Sequence, residues 1–216
     1  MIELWKKSII SAVSVLCLIV AFGCGGDGGG GPSDTAASLT AAGWALFEQG
    51  EYEAAIEKFN EAIDLDATYA DAYNGLGWSN AKLDLLTQAL HSFGLCIVND
   101  NSLADPFAGC TPVYRDYEFP AAAFAEDTTA HFDSALASAQ QALSIDAAYE
   151  FSHDQSFDYQ DLHLIMAQSY FGKGDFLSAK AEVELLGYEG TLDPESPTWP
   201  QELADAIEEL EVGIGG

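Results

Sequence analysis

The stretch GWALFEQGEYEAAIEKFNEAIDLDATY, residues 43–69, decides the fold, because GWSNAKLDLLTQALHSFGLCIVND, residues 77–100, repeats it without a gap. The spacing is 34 residues: Gly43 answers Gly77, Ala55 answers Ala89, Phe59 answers Phe93, Ile63 answers Ile97, and Asp66 answers Asp100. Ala55, Ile56, Phe59, Ala62 and Ile63 carry the apolar spacing of an amphipathic helix, and no period-two alternation supports a strand. Glu48-Gln49-Gly50-Glu51 reads as a turn between two helices, with Gly50 free to take a positive φ. Gly43 and Ala55 are small where two antiparallel helices cross closely. Tyr52 and Phe59 fill the space between that pair and the next.

Two more units follow once insertions are admitted. FDSALASAQQALSIDAAY repeats the second helix, and LHLIMAQSYFGKGDFLSAKAEVELL gives a complete pair. The series Ala55, Ala89, Ala135, Ala179 steps by 34, 46 and 44 residues, which leaves twelve and ten residues over. They are placed at 104–115 and 150–159. The units become 36–69, 70–103, 116–149 and 160–193, the third opening with the short helix FPAAAFAED begun by Pro120. This pattern resembles the tetratricopeptide repeat, whose period is 34 residues. The resemblance spans about Ala36 to Asp193. It implies an all-α solenoid of about four helix pairs. Ala67 and Ala147 replace the family's closing proline, and Asp84 stands where a turn glycine is common. Residues 194–216 supply a capping helix, QELADAIEELE, and a Gly-rich tail.

The N-terminus carries a different signal. Lys6 and Lys7 precede the apolar run Ile9 to Phe22, a segment of secretory length and short for a membrane span. Leu18-Ile19-Val20-Ala21-Phe22-Gly23-Cys24 resembles a bacterial lipobox. The resemblance implies a signal peptide over 1–23, lipidation of Cys24, and anchorage in the cell envelope. Gly25 after the cysteine implies the outer membrane of a diderm bacterium. GGDGGGGP follows within residues 24–35 and reads as a flexible tether.

Seven Lys and Arg against 35 Asp and Glu give a formal net charge of -28, a surface that repels nucleic acid. No phosphate loop, dinucleotide fingerprint, zinc-protease helix or nucleophile elbow occurs, so neither an enzyme nor a cofactor nor a metal centre is expected. His153 and His163 near Asp154, Asp158 and Asp161 read as loop polarity in preference to a cation site. With Cys17 in the signal segment and Cys24 lipidated, Cys96 and Cys110 remain. A disulfide stapling the first insertion to the preceding helix is the expectation, with a buried free Cys96 as the alternative.

A row of aromatics is the candidate functional surface. Trp44 and Trp78 stand one period apart, with Phe124 and Gln168 at the matching places of the third and fourth units. Phe47 lies one turn on from Trp44, and Lys82 one turn on from Trp78. In the resembling family this place on the first helix faces the concave groove. Trp44, Phe47, Trp78, Lys82 and Phe124 are therefore expected to bind a protein or peptide partner in the bacterial envelope. Packing of both tryptophans into the next helix pair is the structural alternative. A glycan or small-ligand binding lipoprotein is the alternative function.

Overall fold

The computed structural model describes residues 34–116 and 129–214. These form nine helices: α1 (Ala36–Glu48), α2 (Tyr52–Leu65), α3 (Ala70–Lys82), α4 (Leu86–Asn99), α5 (Asp105–Asp116), α6 (Ala130–Ile145), α7 (Tyr159–Gly172), α8 (Phe176–Leu185) and α9 (Trp199–Ile214). Among the described residues the one strand-like pairing is an isolated bridge between Glu150 and Asp158. The architecture is the all-α solenoid of helix pairs that the repeat predicts.

Local chemistry sets the element ends. Thr35 caps α1 through a reciprocal capping box with Ser38, and Asp158 caps α7 through one with Asp161. The tight turns inside the pairs need a left-handed residue. Gly50 and Gly174 supply it at φ 78° and 76°, while Asp84 takes φ 58° in the same role. Between pairs, the aspartate closing each second helix replaces the missing proline with a side-chain turn. Asp66 Oδ1 accepts the Thr68 N–H at 2.9 Å, Asp100 Oδ1 that of Ser102 at 2.9 Å, and Asp146 Oδ1 that of Ala148 at 3.0 Å.

The helices pack as consecutive hairpins, α1 with α2, α3 with α4, α5 with α6, and α7 with α8. The first helices α1, α3, α5 and α7 also touch one another in series, whereas the described second helices do not. The first helices therefore form the inner, concave row. One aromatic per pair wedges the rows together. Phe59 is fully buried between α1 and α3, where a Cβ on Gly43 or Gly75 would come within 2.6 or 2.1 Å of its ring. Phe93 repeats the arrangement between Gly77 of α3 and Gly109 of α5. Ala55, Ala89, Ala135 and Ala179 are all fully buried at the crossings. The helix α9 covers α7 and α8 with Trp199, Leu203, Ala206 and Ile207.

One boundary differs from the sequence expectation. Residues 104–115, read as an insertion, are almost entirely helix α5, which pairs with α6. The first helix of the third unit is therefore α5, and the twelve extra residues fall after it. Ala104-Asp105 and Gly109 repeat Ala70-Asp71 and Gly75 at the same 34-residue step. The expectation sets the excess over the 34-residue period on this helix and not after it. Pro106 sits in the first turn, where proline is tolerated; Pro112 lies inside the helix. FPAAAFAED, the expected first helix, and Phe124 within it lie outside the described residues.

Candidate functional site

The concave face of α1 and α3 carries Trp44, Phe47, Trp78 and Lys82 on adjacent turns, as their spacing requires. The three rings are not exposed. Trp44 and Trp78 retain 5% of their surface and Phe47 3%. The expectation of an open aromatic row is corrected; Trp44 does meet the next helix pair, at Asp71 of α3, but much of the cover comes from elsewhere. Residues 150–158, between α6 and α7, leave the third junction and lie across the concave face as a tongue.

Its neck is closed by the Glu150–Asp158 bridge and by the Tyr159 N–H donating to the Tyr149 carbonyl at 2.8 Å. Phe151 is fully buried and stacks on Trp78, with ring centroids 4.1 Å apart and planes 17° apart. It meets Trp44 and Phe47 edge-on, each at 6.0 Å. The His153 ring lies parallel to Trp44 at 3.8 Å, and its Nδ1 is 2.9 Å from Glu48 Oε1. Lys82 Nζ donates to Asp154 Oδ2 at 2.7 Å, a link between residues 72 apart in the chain. Phe157 closes the stack edge-on to Trp78 at 5.5 Å. Burial disfavours the Asp154 anion, yet hydrogen bonds from Lys82 and Ser156 hold its pKa below the usual carboxylate range.

Beneath the tongue the polar groups are unevenly matched. Trp44 Nε1 donates to Asp71 Oδ1 at 3.1 Å. One period later Trp78 Nε1 is buried with no partner among the described residues, and Asp105 accepts instead from Asn74 Nδ2 at 3.1 Å. Asn74 Oδ1 is buried and unpartnered as well. Burial raises the Asp105 pKa. It also raises that of Tyr149, helped by the nearby Asp105 carboxylate, although the Tyr149 hydroxyl is outside hydrogen-bonding geometry. Beyond the tongue tip an open cleft of about 410 Å3 continues along α1, lined by Ala37, Ala41, Ala45, Glu48, Asp71 and His153 among others.

The C-terminal half of the concave face is polar. Arg115 of α5 donates to Gln168 Oε1 of α7 at 2.9 Å. Gln168 occupies the place expected for it, and Pro112, not Phe124, answers Trp78 one period later. His163 Nδ1 lies 2.6 Å from Glu182 Oε2 and ties α7 to α8. Neither histidine joins a metal cluster, and among the described residues no group of three or more His, Cys, Asp or Glu could hold an ion.

The expected disulfide is not formed. Cys96 and Cys110 are free and buried, and burial pushes each thiol up to about 12, with the neighbouring Cys96 adding to the rise at Cys110. Because 104–115 is a packed helix, there is no loop to staple. Cys96 simply fills the small-residue place that Ala62 and Ala142 hold in the other units. Lipidation at Cys24 and the tether lie outside the described residues. No described helix is long and apolar enough to cross a membrane.

Comparison with known proteins matches the TPR repeat over residues 43–84. Among solved structures, a thermophilic TPR protein of Thermus thermophilus superposes with a TM-score of 0.53 at 20% identity, covering 83% of each chain. The fold is that of the TPR proteins. YrrB, described as a TPR protein with an unusual peptide-binding site, superposes with a TM-score of 0.58 at 15% identity, covering 82% of this chain and 87% of its own. MamA superposes at 0.52 with 20% identity, covering 81% and 79%. No curated protein matches. The TPR scaffold positions Trp44, Phe47, Trp78 and Lys82 on its inner row. What sequence reasoning missed is the tongue: the cluster of Phe151, His153 and Phe157 in a ten-residue insertion was the available signal.

Proposed function

We propose that this chain is a non-catalytic docking scaffold that holds a protein or peptide partner on its concave face while a lipid at Cys24 tethers it in the bacterial envelope, at the outer membrane. One observation carries the docking part: the inner row already accommodates a chain segment, its own residues 150–158 folded into two consecutive turns, through aromatic stacking and one ion pair. A surface that packs nine residues of peptide in this way has the shape and chemistry of a peptide site. The likeness to YrrB, whose peptide-binding site is part of its description, points the same way. The lipobox-like segment and the Gly-rich stretch support the anchor, since a chain with a net charge of -28 has no electrostatic route to an anionic bilayer.

Charge narrows the partner. Lys58, Lys82, Arg115, Lys173 and Lys180 are all the cations of the described residues, and each is paired with a carboxylate. The remaining surface is acidic, so the body of the partner is expected to be basic. A sugar ring finds no open platform here, because both tryptophan faces are stacked on the tongue.

The test is site-specific photo-crosslinking in cells. A photoreactive residue at Ala45, exposed in the open cleft, should give a discrete adduct that the same residue at Val98, 81% exposed on the outer row, does not. Adducts at both places or at neither would contradict docking on the concave face. Cys24→Ser should move the protein, with its adduct, from the membrane to the soluble fraction. Retention on membranes would sink the anchor.

A further inference from the structure

We propose that the tongue is a displaceable occupant of the groove, and that the groove takes in its place a peptide that makes the same turn and bears an aromatic side chain and, three residues on, a carboxylate. The inference deepens the docking reading and rests on it. Three observations carry it.

The tongue is not needed to connect α6 to α7. The junctions α2–α3 and α4–α5 run Tyr69-Ala70-Asp71 and Leu103-Ala104-Asp105. Removal of residues 150–159 would leave Tyr149-Gln160-Asp161, the same pattern on the same 34-residue step. The closed neck agrees, since the chain leaves and re-enters the junction at adjacent points, with the Tyr159 N–H on the Tyr149 carbonyl.

Its apolar contacts are well made, but polar atoms beneath it are left unmatched. Phe151 fills the slot formed by Trp44, Phe47 and Trp78, yet the same docking leaves Trp78 Nε1 and Asn74 Oδ1 buried without partners among the described residues. The neighbouring repeat shows what is missing, because there Trp44 Nε1 has Asp71. An incoming main chain offers a carbonyl to the indole and an N–H to the amide oxygen. A foreign peptide with the same anchors therefore gains hydrogen bonds that the tongue does not make.

The anchors define the chemistry. The slot takes an aromatic ring, the Trp44 face takes a second flat ring two residues on, and Lys82 takes a carboxylate one residue further, following Phe151, His153 and Asp154. The cleft along α1 leaves the groove open beside the tongue tip, where a competing chain can begin to bind.

The experiment compares the full wild-type chain with a full chain lacking residues 150–159, using the synthetic peptide EFSHDQSFD as the probe in titration calorimetry. The deletion variant should bind the peptide saturably. The wild type should bind it at least about 10-fold more weakly, because its tethered tongue competes at a high effective concentration. Replacing the first Phe of the peptide by Ala, or Lys82→Ala in the variant, should each weaken binding several-fold. A second variant, Phe151→Ala with Asp154→Ala, keeps the chain length and should likewise bind the peptide better than wild type. Helical circular dichroism retained without saturable binding in either variant would overturn the proposal, as would equal binding to wild type and variant. Loss of the helical fold in both variants would also overturn it, since the tongue would then belong to the scaffold's core. Docking on the concave face fails separately, through the crosslink at Ala45. An adduct there with no peptide binding to a folded variant leaves the scaffold reading standing and removes the displaceable tongue.

Discussion

The first two repeat junctions and the third begin alike and then part company. Asp66, Asp100 and Asp146 each end a second helix in extended conformation and turn the chain with a side-chain hydrogen bond. The first two junctions then enter the next helix within a few residues. The third continues through Phe151, His153, Asp154 and Phe157 over the α3 and α1 part of the inner face, before Asp158 caps α7. Since the short junctions already suffice to set one pair on the next, the extra residues answer to the groove and not to the linkage. Burial alone does not separate the two kinds of packing. Phe93 of the repeat and Phe151 of the tongue are both fully buried, but one is wedged between helices and the other is held by a segment that can detach.

The sharpest way to break that distinction is to truncate both rings. Phe93→Ala should cost about 3–5 kcal/mol, because the cavity between Gly77 and Gly109 lies inside the helix stack and cannot collapse freely. Phe151→Ala should cost clearly less, its loss limited by the free energy with which the tongue docks. Chemical denaturation followed by circular dichroism gives both values. Equal losses would make the tongue as much a part of the core as the repeats.

Asp84 sharpens the comparison among repeats. It occupies the left-handed turn position that Gly50 and Gly174 hold elsewhere. Asp84→Gly should raise stability by up to about 1 kcal/mol, since the strain at φ 58° outweighs the added freedom of the unfolded chain. A lowered melting temperature would show that the Asp84 side chain contributes something the backbone does not explain.

The smallest expected effect concerns the pin of the tongue. Lys82 and Asp154 remain about a third and a quarter exposed, so Lys82→Ala should cost under about 1 kcal/mol. The sign of its pH dependence follows from Asp154. A carboxyl with its folded pKa lowered stabilises the docked tongue above its unfolded value, near 4, and loses that contribution as pH falls through the lowered value. Indole quenching of Trp44 and Trp78 by acrylamide should therefore rise below about pH 4 in the wild type. It should be raised already at neutral pH, and change less on acidification, in Lys82→Ala. Identical acid profiles would remove Asp154 from the docking of the tongue.

Much of this was legible in the residues, and what was not has identifiable causes. The 34-residue step named the helix pairs, the wedge residues Phe59 and Phe93, and the turn positions, because helix periodicity and glycine conformation are local properties that each segment declares for itself. The third unit was misplaced because the twelve extra residues were set before its first helix, although the neighbouring match of Ala104-Asp105 and Gly109 was present. The disulfide fell with that boundary. The candidate site was legible only as a list of rings: spacing put Trp44, Phe47, Trp78 and Lys82 on one face of consecutive first helices. What covers that face was beyond sequence reasoning, since His153 meets Glu48 across 105 residues and Asp154 meets Lys82 across 72. Contacts at such separation leave no periodic trace; they exist only once the solenoid curves and brings its third junction over its first two pairs. Sequence by itself determined the repeat and its inner row, and tertiary structure decided that the row is occupied.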